Sequence, residues 1–305
     1  MSTGMWMGPR GHETWVPAPA AGGGLFTPVG YSTKTQYLNG GAGGHNSLST
    51  HMEYNFVWNL KSRRIMRPIT DMFQGVRGPG LIYFVDPMAA DQNVLPQSWA
   101  FPAQACYDAV PLAGTVRPQN VATLSNTLNY PAESARYEVV DGTPVTKVYV
   151  PIPPGFAAWV GVHGQSNGAQ MTVTTIGAGN VTGDTRALAM LSVTDDLRFS
   201  DSFTGQGIEL SWVKDSSTTE PVYPSQTTYP SGTSYPSDGI SDYMTISGLM
   251  VQILPVGVTP ERGDFISGQG HSGCKFDGAP AVTPYSAALD MVGVTAKLFE
   301  AGSYL

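Results

Sequence analysis

Few side chains in this sequence could perform acid–base or nucleophilic chemistry. Its five histidines are His12, His45, His51, His163 and His271. None stands in an HExxH or HxH spacing, which would bring two imidazoles to one metal ion. His271 precedes Ser272 and lies near Cys274, but adjacent strand residues point to opposite faces and catalytic partners must meet in space. The spacing therefore predicts a turn histidine.

The acidic residues and glycines indicate no catalytic or phosphate-binding site. Asp195 and Asp196 are adjacent, which is typical of a turn, and no DxDxDG calcium loop accompanies them. The pairs Gly40-Gly41 and Gly43-Gly44 lack the GxGxxG spacing between strand and helix. A glycan-cleaving enzyme would need two carboxylates in one cleft, and the acidic residues show no such grouping in sequence. We predict no catalytic residues, no cofactor and no metal ion.

The charge and the cysteine content further narrow the class of protein to which this chain could belong. Cys106 and Cys274 lie far apart without a CxxC spacing, so we expect two reduced, partly buried thiols. A net charge of −7 and a pI near 5.1 predict no nucleic-acid specificity. No apolar run approaches the roughly 18 residues of a membrane helix. The first residues, MSTGMWMGPRGHETW, lack the apolar core of a signal peptide, so we expect assembly in a cytoplasm.

The composition favours a protein of many short strands. Charged residues are 13% of the chain, about half the usual share, and 36 glycines and 24 prolines are spread along it. So few charges fit either a protein whose faces are covered by neighbours in an assembly or a loop-rich β protein.

The first hundred residues predict a small β-domain with one helix. Residues 1–24 have no periodicity and are interpreted as an irregular arm. Strand 50–59 alternates, with Met52, Tyr54, Phe56 and Trp58 on one face. Four basic residues of 61–67 predict a solvated turn, and Pro68 and Gly75 frame a helix over 66–74. The run 81–85, which contains Ile82 and Phe84, predicts a strand covered on both faces.

From about residue 115 onward, short strands recur with turns every ten residues or so. Without helices between them, they predict a β-sandwich of jelly-roll type. The candidate strands are 135–140, 145–152, 157–163, 170–176, 186–193, 196–203, 207–214, 243–254, 273–277 and 292–299.

Two features of this part could contact a ligand or partner. Tyr223, Tyr229 and Tyr235 each begin a Tyr-Pro-Ser repeat within the Ser/Thr/Pro-rich segment 215–242, which is either an adhesive strip or a solvated insertion. Trp159, in FAAWVGVHG, is a better candidate than Trp212 for an exposed platform for sugars, although burial in the core is the favoured interpretation of both tryptophans. Trp212 shares the parity of Ile208 and Leu210, which places it with the core.

Three stretches resemble the distal tail (minor tail) proteins of siphoviruses infecting actinobacteria. They are EYNFVWN (53–59), RPITDMFQGVRGPGLIYFVDPMAADQNVLPQSWA (67–100) and FISGQGHSGCKFDGAPAVTPYSAALDMVGVTAKLFEAGSYL (265–305). The resemblance implies an N-terminal β-domain that forms a ring, typically a hexamer, beneath the tail tube. It also implies a peripheral sandwich similar to galectins and carbohydrate-binding modules, and it offers no catalytic residues to carry over.

Together these observations predict a structural protein. We expect a ring-forming domain over 1–114, with Tyr54, Phe56, Trp58, Ile82 and Phe84 in its core or interface, and a C-terminal sandwich over 115–305. The expected function is a baseplate hub subunit of the virion, a homo-oligomer joining the tail tube and a tail-associated hub protein to the host-contacting tip. It would assemble in the host bacterial cytoplasm. The alternative is a lectin-like adhesin that binds host envelope glycans through Trp159 or the three repeat tyrosines.

Overall fold

The computed structural model describes residues 4–20, 26–36, 42–85, 92–100, 135–139, 147–167, 169–191, 199–214, 242–261, 268, 270, 273–286 and 289–301. Its strands are β1 (Gly4–Pro9), β2 (Thr14–Pro17), β3 (Phe26–Gln36), β4 (Ala42–Ser62), β5 (Ile82–Val85), β6 (Ala135–Val139), β7 (Lys147–Pro151), β8 (Phe156–Asn167), β9 (Ala169–Gly177), β10 (Val181–Ala187), β11 (Asp201–Phe203), β12 (Gly207–Lys214), β13 (Asp242–Pro255), β14 (Cys274–Phe276), β15 (Ala281–Ser286) and β16 (Met291–Glu300). The α-helices are α1 (Arg63–Phe73) and α2 (Gln97–Ala100), and a 3₁₀ turn covers Ala178–Asn180.

The strands form three antiparallel sheets. Eight strands make the first sheet, in the order β2-β1-β5-β14-β16-β4-β3, with β15 also paired to β16. The other two sheets have four strands each, ordered β10-β9-β12-β7 and β11-β8-β13-β6. The prediction of a mainly β protein with a short helix and a β-sandwich is confirmed.

The two four-stranded sheets enclose one apolar core. Alternate residues of β8, Ala158, Val160 and Val162, point into it, as do Ile208 and Leu210 of β12. Trp99 and Leu95 from the segment before residue 101 also pack there. Burying such side chains is the main favourable term in folding, so this core defines the sandwich.

A second core lies under the eight-stranded sheet. Tyr54, Phe56 and Trp58 of β4 are buried in it together with Ile82 and Phe84 of β5. Phe84 packs edge-to-face on Tyr54 and on Phe56, at ring-centroid distances of 5.0 and 5.2 Å. All five residues named for the N-terminal domain therefore lie in one core.

Helix α1 covers this core with one apolar stripe. Met66, Ile69 and Met72 are buried at a spacing of three residues, which places them on one face of the helix. The helix begins at Arg63, so Pro68 lies inside it and not at the predicted first position. Arg63, Arg64 and Arg67 are exposed on the opposite face, where the predicted solvated turn is mostly helix.

Residues 4–17 form a hairpin where the sequence predicted an irregular arm. All six residues of β1 are buried, and β1 pairs with β2 on one edge and with β5 on the other. Pairing with a strand some 70 positions away leaves no local signal in a Gly- and Pro-rich segment, which is why the pattern suggested no strand.

The last strands belong to the first sheet and not to the sandwich. β16 pairs with β4 from Met291↔Ser62 to Phe299↔Glu53, and β14 pairs with both β16 and β5. The predicted unit 115–305 is therefore corrected: the sandwich is inserted between strands of the N-terminal unit. Alternation identifies a strand and its apolar face, but it does not identify the strand's partner.

Candidate functional site

A cluster of polar side chains around two buried carboxylates joins the β1–β2 turn to the sandwich. We call it the junction cluster; its members are Arg10, Glu13, Tyr149, Gln206, Glu209 and Lys147. Glu13 and Glu209 are each less than a tenth exposed. Charged side chains are almost never so deeply buried unless they are paired, so the partners of Glu13 and Glu209 must be identified.

Glycines let the turn approach the sandwich closely. Gly11 has φ +72°, and a Cβ at this position would lie 2.5 Å from the backbone nitrogen of Asn180. The amide of Gly179 donates to the carbonyl oxygen of Gly11 at 2.9 Å. Any larger residue at position 11 would push the β1–β2 turn away from the β9–β10 turn of the sandwich.

Tyr149 reaches the β1–β2 turn from β7. Its ring lies over Gly207 of the neighbouring strand, where a Cβ would overlap the phenol group. The Tyr83 ring of β5 packs edge-to-face on Tyr149 at 4.8 Å, and the Arg10 guanidinium lies 5.8 Å from the Tyr149 ring centroid. Burial raises the pKa of Tyr83 to about 12, so both phenols are neutral at ordinary pH.

Glu13 is held by hydrogen bonds to one of its two oxygens. Tyr149 Oη donates to Oε1 at 2.6 Å, and the Gly11 amide donates to the same oxygen at 3.1 Å. Among the described residues, Oε2 has no hydrogen-bond partner although it is buried. Burial outweighs these hydrogen bonds and raises the pKa of Glu13 to about 7.

The two nearby cations are paired to the other carboxylate. Arg10 and Lys147 contact Glu209 at 2.7 Å each, through Oε2 and Oε1 respectively. Glu209 therefore has two cationic partners, while Glu13 has no ion pair in the described part of the chain. The Arg10 charge lowers the pKa of Glu13, but it is the weakest of the interactions that shift this pKa.

The arrangement is suited to holding two units together. Glu13 and Tyr149 could exchange a proton, but both are buried between the hairpin and the sandwich. Among the described residues, no three His, Cys, Asp or Glu side chains gather closely enough to hold a metal ion. In the same part of the chain no helix has the length and apolar character to cross a membrane.

His163 forms a second buried polar contact, inside the sandwich. Its Nδ1 lies 2.6 Å from Ser247 Oγ, at a register shift where β13 passes β8. Ser247 Oγ also lies 3.2 Å from the His163 carbonyl oxygen, to which the hydroxyl can donate. Both residues are almost fully buried, and their bonds hold this β-bulge.

Cys274 lies in the core of the first sheet near Glu300. Its thiol is fully buried, and burial together with the Glu300 charge raises its pKa far above the usual value. The same two causes raise the pKa of Tyr54, while Glu300 Oε2 accepts from the amide of Met52 at 3.0 Å. Cys106 lies outside the described residues.

The predicted contact residues are not brought together by the described structure. Trp159 alternates with the core residues Ala158 and Val160, so it lies on the outer face of its sheet, where it is half-buried. Tyr223, Tyr229 and Tyr235 lie outside the described residues, as does the side chain of Trp212.

The junction cluster was not predicted from the sequence. Glu13 and Tyr149 are 136 positions apart, and each looks unremarkable locally. One weak signal was available: an acidic residue inside a Gly-, Pro- and Trp-rich stretch is unusual, because such stretches seldom bury charge.

No family model matches the chain, and no curated protein matches its sequence. Among solved structures, the VP2 subviral particle of infectious bursal disease virus is 12% identical over 98% of this chain and 76% of that one, with a TM-score of 0.21. The structure of the Gt strain of infectious bursal disease virus is 14% identical over 73% and 52%, with a TM-score of 0.16. Values this low establish neither a shared fold nor a shared function.

Proposed function

We propose that the chain is a structural, non-catalytic virion protein: a distal tail subunit that joins the tail tube to the host-contacting tip of a phage and assembles as a ring. The proposal is supported by the resemblance of residues 53–59, 67–100 and 265–305. In the structure, all three stretches contribute strands to one sheet, since β14 pairs with β5 and β16 pairs with β4. They therefore belong to one folded unit, as a shared function would require.

The observation that carries the assembly proposal is the length of the β3–β4 hairpin. Pairing between β16 and β4 stops at Glu53, but β4 continues back to Ala42 and stays paired with β3. Over residues 32–36 and 42–46, the strand pairings of the described residues join these two segments to no third strand.

An isolated two-stranded hairpin is marginally stable in water. Within the described part of the chain, both outer edges of this extension carry backbone donors and acceptors that no strand pairs, and such groups are a template for another strand. Residues 26–51 contain Lys34 as their only Lys, Arg, Asp or Glu, so little charge opposes such pairing. We infer that a neighbouring copy of the chain pairs with this extension in the ring.

The test is to shorten the hairpin. Residues 31–49 would be replaced by an Asn-Gly turn, because Gly30 and Thr50 are register partners and this turn closes a two-residue hairpin. The native protein should form closed rings, hexamers most frequently, by mass photometry and electron microscopy. The shortened chain should be monomeric with an unchanged melting temperature. Rings of the same size from the shortened chain, or a monomeric native protein in intact tails, would contradict the proposal.

One observation keeps the lectin-like adhesin as the second candidate. The partly buried Trp159 ring lies on the outer face of β8, and a pyranose could stack on its exposed part. Glycan-array binding by the full chain that disappears in Trp159→Ala, with ring formation unchanged, would favour this function. The absence of binding in both proteins would leave the ring subunit as the sole candidate.

A further inference from the structure

We propose that docking of the β1–β2 hairpin on the sandwich is coupled to the uptake of one proton by Glu13, so that acid tightens the junction between the two units. The proposal does not depend on the function proposed above. It follows from how the hydrogen-bond donors and charges of the junction cluster are distributed.

The geometry leaves Glu13 short of partners for a negative charge. A buried carboxylate is stable when both oxygens accept hydrogen bonds or when a cation lies beside it. Here Oε1 accepts from Tyr149 and from the Gly11 amide, while Oε2 accepts from no described residue. A neutral carboxyl group is far less costly to bury than a carboxylate in this position.

The neighbouring cations do not compensate the negative charge of Glu13 in place of a proton. Arg10 and Lys147 are committed to Glu209 at 2.7 Å each. Among the described residues, the other titratable groups near Glu13 are His12 on its own turn, Tyr83 on β5 and Tyr149 on β7. Both phenols are neutral, and His12 is exposed at the surface of the turn.

A protonated Glu13 also fits the hydrogen-bond network. With its proton on Oε2, Glu13 is neutral and Oε1 still accepts from Tyr149 Oη at 2.6 Å and from the Gly11 amide at 3.1 Å. The Tyr149 bond joins the hairpin to the sandwich in both protonation states.

The direction of the pH effect follows from the two states. When the hairpin separates, Glu13 is hydrated and returns to a pKa near 4.5, against about 7 in the closed junction. Stability from Glu13 is fully present below pH 4.5 and is lost as the pH rises to about 7. The equilibrium for opening should rise by roughly a hundredfold across this range.

The experiment measures stability against pH in the full-length protein. Denaturant unfolding would be followed from pH 4.5 to pH 8 in the native chain, in Glu13→Gln and in the control Glu53→Gln, which removes an exposed carboxylate of β4. The native protein and the control should lose stability as the pH rises, and Glu13→Gln should not show this loss. Contributions from groups far from Glu13 and Glu53 are common to all three proteins and cancel in the difference.

Tyr149→Phe gives an independent signature. The Tyr149 hydrogen bond lowers the pKa of Glu13, so its removal should extend the loss of stability to higher pH. Infrared spectra of the native protein at pH 6 should show a carboxylic-acid carbonyl band that disappears on titration to pH 8, a measurement that needs no variant to fold. The proposal is overturned if Glu13→Gln keeps the native pH dependence or if this band is missing.

Discussion

The lack of a side chain at Gly207 determines where the Tyr149 ring lies. The Tyr149 ring occupies the space where any Cβ on residue 207 would lie, and this places the Tyr149 hydroxyl on Glu13. The constraint comes from a strand neighbour and not from a turn, since Gly207 lies at the start of β12 in an ordinary strand. The sequence alone does not identify this contact. A glycine within a strand indicates a β-bulge or a close approach, but it does not show which group approaches.

Gly207→Ala should therefore destabilise the protein by about 2 kcal/mol, the usual range for overpacking a well-filled site. The loss should be accompanied by a change in near-ultraviolet circular dichroism as the Tyr149 ring moves. Gly177→Ala is the matched control, because its Cβ would meet nothing closer than 3.6 Å. Equal stability of the two variants in urea titrations would show that the ring yields without cost.

At the scale of elements, alternation and breaker residues predicted most strands of the sandwich. Strand 207–214 was predicted with its observed bounds, and 243–254 within one residue at each end. The misses have a physical cause. β1 is stabilised by its long-range partner β5, and β10 is exposed along its whole length, so neither carries an apolar pattern of its own. The junction cluster depends on such long-range pairing, so it could not be predicted from local sequence patterns either.

The Tyr-Pro-Ser segment, 215–242, gives the prediction for this scale. It connects β12, which ends at Lys214, to β13, which begins at Asp242, and these strands lie in opposite sheets of the sandwich. Packed sheets are about 10 Å apart. Replacing 218–240 by a four-residue Gly-Ser linker leaves about eight residues, enough to span roughly 25 Å.

This deletion should change the melting temperature little, because loop-closure entropy varies slowly with length. Calorimetry of the deleted chain tests that expectation. If the repeat tyrosines contact a neighbour or the host, phage carrying the deletion should assemble poorly or adsorb slowly although the purified chain melts normally. A large fall in the melting temperature would instead show that the segment packs into the core.

At the scale of the whole molecule, the chain folds as one unit interrupted by another. The first sheet takes β1–β5 from the first 85 residues and β14–β16 from residues 274–300. β16 is interior to that sheet, and it supplies Val292, Val294, Ala296 and Leu298 to its core. The predicted boundary near residue 114 therefore does not separate two independent folding units.

A fragment of residues 1–114 should consequently fail to fold, since β4 loses its partner β16 and the core loses one wall. A fusion of residues 1–86 through a ten-residue Gly-Ser linker to residues 273–305 should regain a cooperative thermal transition by circular dichroism. The control fusion carries Val294→Asp, which places an unpaired charge in that core and should abolish the transition. A cooperative transition in fragment 1–114 alone would contradict this account.

The interior position of β16 also affects how the chain folds while the ribosome synthesises it. A ribosome reads about 5–20 residues per second, so on the order of half a minute separates the appearance of β4 from that of its partner. During that interval β4 has the apolar residues Tyr54, Phe56 and Trp58 but no β16 to complete the sheet around them. A message cut short before the codons for β16 would yield a chain without its first sheet. Closure of that sheet around β16 thus requires that translation has passed residue 300.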